Sequence, residues 1–129
     1  MLGDMDAAQA IADLTEISPQ VRDVVVIAAD GSLTGSNASE ARAARLADVA
    51  KRLVEEADGM RPGIAQLEAA TVDGSVFTVR DGGRLIAATT TPEPTVGLVF
   101  YDLKTCLRSV VEPKKPARRP RKPKADAPS

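Results

Sequence analysis

The chain has no histidine and a single cysteine, Cys106, and those two facts remove most catalytic chemistry. Without an imidazole there is no Ser-His-Asp or Cys-His couple, so acid-base work would fall to carboxylates or lysines. A lone thiol closes no internal disulfide and completes none of the usual zinc sets. No Gly-x-x-x-x-Gly-Lys-Ser/Thr stretch is present to cradle nucleotide phosphates, and Asp81-Gly82-Gly83 reads as a turn. Adjacent acids such as Glu55 and Glu56 fall on the wet side of a helix, where charge serves solubility. The expectation is a protein without catalytic residues, metal or cofactor.

Two sets of cations remain to be placed. Arg42 falls at the edge of an apolar helix surface, which leaves three readings open. Its stem packs while its guanidinium reaches water, it contacts a second molecule, or it acts as an arginine finger on a nucleotide-hydrolysing partner. The second set is terminal. Up to residue 111 ten Lys and Arg stand against sixteen Asp and Glu, whereas from residue 112 onward seven stand against two. Lys114, Lys115, Arg118, Arg119, Arg121, Lys122 and Lys124 are interleaved with prolines and with nothing to bury, which predicts a disordered basic tail over residues 113–129. Such a tail is either a solvated appendage or a contact for acidic partners, nucleic acid or anionic lipid, weak and steeply salt-dependent. With two Phe, one Tyr and no Trp, the chain has no row of rings on which single strands would stack.

The rest of the chain, residues 1–112, has the length and hydrophobic content of one domain. Its single cysteine fits a reducing, cytoplasmic setting. The acidic N-terminus predicts no signal peptide, and no apolar run approaches the roughly 20 residues that span a bilayer.

Met5 to Ile17 has apolar residues at helical spacing, and Ser18-Pro19 ends it. Val21 to Ala28 contains an unbroken β-branched run, expected of a strand covered on both faces. Asp30-Gly31 is a turn pair before a short partner strand, Ser32 to Gly35. A long helix follows from Asn37, with Asn37 and Glu40 spaced as a capping box, to Gly59. Three extended runs, Ala65 to Val72, Ser75 to Arg80 and Arg84 to Thr90, are separated by Asp73-Gly74 and Asp81-Gly82-Gly83, the mark of consecutive hairpins. The first of them alternates weakly and carries Glu68, which suits an edge strand. A last helix runs from about Thr95 to Val111, with Cys106 inside its apolar stripe as a buried filler. The sum is an α+β domain: a five-stranded antiparallel sheet with the middle helix on one face and the terminal helices on the other.

The middle helix carries more apolar surface than one docking face needs. Leu46, Val49, Ala50, Leu53 and Ala57 fall on one side, and Ala43, Ala47 and Val54 widen the arc to about 160°, against the roughly 100° that a surface helix uses. The excess flank, lined by small alanines that allow close approach, predicts that a second molecule covers it.

Three segments carry a family resemblance: Val21-Arg22-Asp23-Val24-Val25-Val26-Ile27-Ala28-Ala29-Asp30-Gly31, Ala41 through Ala50, and Gly97-Leu98-Val99-Phe100-Tyr101-Asp102-Leu103. In order and spacing they resemble the bacterial Roadblock/dynein light chain domains, particularly the actinobacterial type, over about residues 5–111. The resemblance implies a profilin-like fold, a homodimer formed through the middle helix and the third strand, and service as a scaffold or regulator of a Ras-like small GTPase, with the nucleotide chemistry left to the partner. It also allows pairing with another Roadblock protein. The interface it implies here would draw on Arg42, Ala43, Leu46, Ala47 and Val54 of the helix and on Glu68 and Ala70 of the strand. The alternative is a structural dimer whose basic tail tethers it to nucleic acid or anionic membrane. Two departures stand out: Gln20 where family members often have Gly, and the polar Ser32-Leu33-Thr34-Gly35 where they usually continue with aliphatics.

Overall fold

The computed structural model describes residues 6–111. The predicted tail, with its seven cations, and Met5 lie outside those residues. The first helix, α1 (Ala7–Ile17), is capped by Asp6, whose carboxylate accepts from the Gln9 amide at 2.8 Å. There follow β1 (Val21–Ile27), β2 (Leu33–Ser36), α2 (Glu40–Met60), β3 (Gln66–Thr71), β4 (Gly74–Asp81), β5 (Arg84–Thr90) and α3 (Val96–Ser109). The five strands form one antiparallel sheet in the order β2-β1-β5-β4-β3, so the predicted element order and sheet hold.

Each turn has a chemical cause. Gly82 and Gly83, both at positive φ, join β4 to β5, with Asp81 paired to Arg84. Between β3 and β4 the turn residues are Val72 and Asp73. Gly74, predicted as part of that turn, instead opens β4 opposite Thr71. Its φ is 140°, and a Cβ there would lie 2.0 Å from the Thr90 carbonyl oxygen, so only glycine lets β4 begin against the end of β5. Gly35 serves closeness of another kind: a Cβ there would meet the Ala7 methyl at 2.5 Å, so α1 rests directly on β2.

The sheet divides the core in two. Toward α1 and α3 point Val24 and Val26 of β1, Phe77 and Val79 of β4, and Ile86 and Ala88 of β5, packed on Ile11, Leu14, Leu103 and Leu107. Toward α2 point Val25 and Ile27 of β1 with Leu85 and Ala87 of β5. The β-branched run in β1 is buried on both faces, as its composition predicts.

Two local expectations are corrected. The middle helix begins at Glu40, not Asn37, because Ser39 caps it through the Arg42 amide at 3.3 Å. Asn37 is used across the sheet: its Oδ1 accepts from the Val24 amide at 2.7 Å and its Nδ2 donates to the Arg22 carbonyl at 2.7 Å. These bonds supply β1 with partners beyond the end of β2, which pairs only as far as Ser36 opposite Val25. The same helix passes through Gly59 and ends at Met60. Gln20, where the family pattern departs, also has work here, since its Oε1 accepts from the Thr95 amide at 2.6 Å at the head of α3.

Candidate interaction surface

The α2 side chains that face its own sheet are Ala43, Leu46, Ala47, Ala50 and Val54, all buried. Ala43, Ala47 and Val54 were expected on an uncovered flank, and that expectation fails. The reason is steric: with alanine at 43, 47 and 50 and Ala87 beneath them, the helix settles closest to β1 and β5 along its alanine row. The excess apolar width survives on the opposite flank, where Val49 is 37% exposed and Leu53 is half-buried. Those two belong to the predicted arc but are hidden in a sequence reading, because nothing local says which edge of a wide arc turns inward.

The open flank lies over an incompletely covered part of the sheet. α2 contacts mainly β1 and β5. On the same face Val76 of β4 and Leu67 of β3 remain half-buried at the margin of the core. A depression of about 370 Å³ lies there, lined by Asp23, Arg42, Arg45, Leu46, Val49, Val76 and Thr89. Its charged rim is organised: the Arg42 guanidinium, 69% exposed, is ion-paired with Asp23 of β1, and the Asp23 amide donates to Thr89 Oγ1 at 3.1 Å. Of the three readings of Arg42, the structure gives a guanidinium in water held by a strand carboxylate. Asp23 is a contributor that sequence reasoning missed, because it is embedded in a strand segment that reads as core.

β3 is one of the sheet's two edge strands, β2 being the other, as its weak alternation predicts. An antiparallel edge directs the N–H and C=O groups of alternate residues away from the sheet, where another strand can meet them. Glu68 and Ala70 are exposed on it, and the Glu68 carboxylate accepts from Ser75 Oγ at 2.9 Å. The structure thus separates the seven predicted interface residues. Arg42, Glu68 and Ala70 are accessible, while Ala43, Leu46, Ala47 and Val54 are core.

The far end of α2 is fixed by a two-pronged ion pair. Arg80 of β4 donates to both carboxylate oxygens of Asp58 at 2.8 and 2.9 Å, and Asp58 Oδ1 also accepts from the Gly63 and Ile64 amides at 3.2 Å. The Arg80 hydrogen bonds hold the Asp58 carboxyl below the usual carboxylate value, against some desolvation. On the opposite face Cys106 is buried as predicted, and burial, helped by the charge of Asp13, pushes its thiol up to about 12. A thiol that stays protonated is a packing group, not a nucleophile. No cluster of metal-ligating side chains occurs among the described residues, and none of their helices is long and apolar enough to cross a membrane.

No family model matches the sequence, and no curated protein matches it. Solved structures do match the fold. A Roadblock/LC7 domain from Streptomyces avermitilis superposes with a TM-score of 0.72 at 18% identity, over 81% of this chain and 94% of that one. MglB of Myxococcus xanthus superposes at 0.61 with 14% identity, over 78% of this chain and 81% of that one. The gliding protein MglB from Thermus thermophilus gives 0.61 at 11% identity, over 81% and 84%. At such identities the shared property is the architecture, and on that ground this chain has the Roadblock/LC7 fold.

Proposed function

We propose that this protein is a non-catalytic cytoplasmic adaptor that pairs with a second copy of itself and, as a pair, binds and regulates a Ras-like small GTPase. The observation that carries the pairing is the continuity of two open features on one side of the molecule. One is the α2 flank of Val49 and Leu53 beside half-buried Val76 and Leu67. The other is the edge of β3. A twin docking there would cover both at once: helix flank on helix flank, strand edge on strand edge, two five-stranded sheets made continuous. The GTPase part rests on the sequence resemblance and on the shared fold, with no phosphate-binding loop of its own in the chain. Arg42 and Arg45 at the rim would then face either the twin or the GTPase.

Sedimentation equilibrium at micromolar concentration tests the pair. A dimer is expected, and Val49→Glu with Leu53→Glu should return it to monomer while leaving the far-ultraviolet circular dichroism unchanged. A wild-type monomer overturns the pairing. Ras-like GTPases of the same organism, loaded with GDP or with GTP, should co-elute with the dimer in one nucleotide state or both. Failure of every candidate in both states overturns the regulatory reading.

A further inference from the structure

On the other face of the sheet, α1 and α3 leave a groove between the second half of α1 and the last turns of α3. Its volume is about 300 Å³. Ala10, Leu14 and Cys106 give it an apolar floor, and Asp13, Glu16 and Asp102 give it acid. Among the described residues no lysine or arginine lines it. Asp102 is the unusual member: it is only 8% exposed, yet it makes no hydrogen bond or ion pair among the described residues. A carboxylate on so buried a residue is normally paired, and its oxygens still open onto the groove. The negative field is also felt at the floor, where the charge of Asp13 adds to burial in raising the Cys106 thiol. A groove with an apolar floor and unpaired acid suits the aliphatic stem and ammonium head of lysine.

We infer that this groove seats the chain's own basic segment, Lys114 to Lys124, in cis. Charge complementarity is the first argument, with seven cations against two acids beyond residue 111 and three carboxylates in the groove. Chain geometry is the second. Ser109, the last residue of α3, itself lines the groove. Five residues of extended chain from Ser109 reach up to about 17 Å, whereas Asp102 lies only about 10 Å back along the helix from Ser109. Lys114 and Lys115 are therefore the first cations able to turn back onto Asp102, and Arg118 and Arg119 follow within reach of Asp13 and Glu16. Tethering sets their local concentration near the millimolar range, enough for contacts too weak to form between separate molecules. A tail seated there is withheld from nucleic acid and anionic lipid, so the groove acts as an internal competitor for its charge.

Zero-length carbodiimide cross-linking of the full chain tests this, using an equal mixture of light and nitrogen-15 protein and peptide mass spectrometry. The expected result is Lys114 or Lys115 joined to Asp13, Glu16 or Asp102 within single chains at low salt. The yield should fall several-fold at roughly 0.5 M salt, where screening acts over a few Å. In the full-length Asp102→Asn variant, close in shape to the parent, the amide resonances of Lys114 to Lys124 should move toward their high-salt positions. Cross-links that join light to heavy chains would assign the groove to another copy's tail and overturn the cis seat. So would the absence of tail-to-groove links together with tail resonances indifferent to salt and to Asp102→Asn.

Discussion

The two faces of the sheet are closed by different means, and the difference explains why one of them has surface to spare. On the α1/α3 face two helices share the cover and large side chains fill it: Phe77, Ile11, Leu14, Leu103 and Leu107 are fully buried. Phe77 and Phe100 meet edge to face with centroids 4.8 Å apart. On the α2 face one helix does all the covering, with Ala43, Ala47 and Ala50 beside only two larger side chains, Leu46 and Val54. Small side chains bring a helix close but cover a narrow strip, so Leu67 and Val76 are left at its margin. Bulk closes a face, whereas closeness leaves its sides open.

Deleting bulk should hurt the two faces very unequally. Phe77→Ala should lower unfolding stability by about 3–5 kcal/mol, the usual range for an aromatic core truncation, read from the midpoint of urea unfolding. Leu53→Ala, already half in water, should cost about 1 kcal/mol or less in dilute protein. If the chain pairs through the α2 flank, that loss should grow with protein concentration, because the dimer's contribution does. Equal losses for the two substitutions at low concentration would mean the faces are equally closed.

A smaller effect separates what the sequence could and could not reveal. The strands, their order as consecutive hairpins and the division of helices between faces were readable because they follow from local rules: β-branched runs, glycine turns and helical spacing. What was not readable depended on contacts across the fold. Asn37 has the type and spacing of a helix cap, and only the geometry of β1 makes it a strand partner instead. Ala43 and Val49 are equally apolar, and only the packing over Ala87 decides that Ala43 is core and Val49 is rim. Asn37→Ala should therefore cost about 1–3 kcal/mol by stranding the buried Val24 amide. A cap-only role predicts almost no loss, since Ser39 already caps α2. Urea midpoints of Asn37→Ala and Ser39→Ala, measured side by side, decide between the two.

The least of the expected effects lies at the join between the open face and the end of α2, and it is a matter of pH. Arg80 holds the Asp58 carboxyl below its ordinary value of 3.8. Between 3.8 and the lower folded value, the unfolded chain binds a proton at this site and the folded chain does not, so acid favours unfolding. The stabilisation is fully present above 3.8, is lost as the pH falls toward the folded value, and changes no further below it. Both side chains are partly exposed, at 34% for Asp58 and 26% for Arg80, so salt should shrink the effect. In Asp58→Asn that part of the acid limb should flatten relative to wild type, so that the variant's deficit, full at neutral pH, shrinks as the pH falls below about 5. A difference that instead persisted unchanged from neutral pH down through the acid limb would mean that Asp58 acts through its shape and its bonds to Gly63 and Ile64, not through its charge against Arg80.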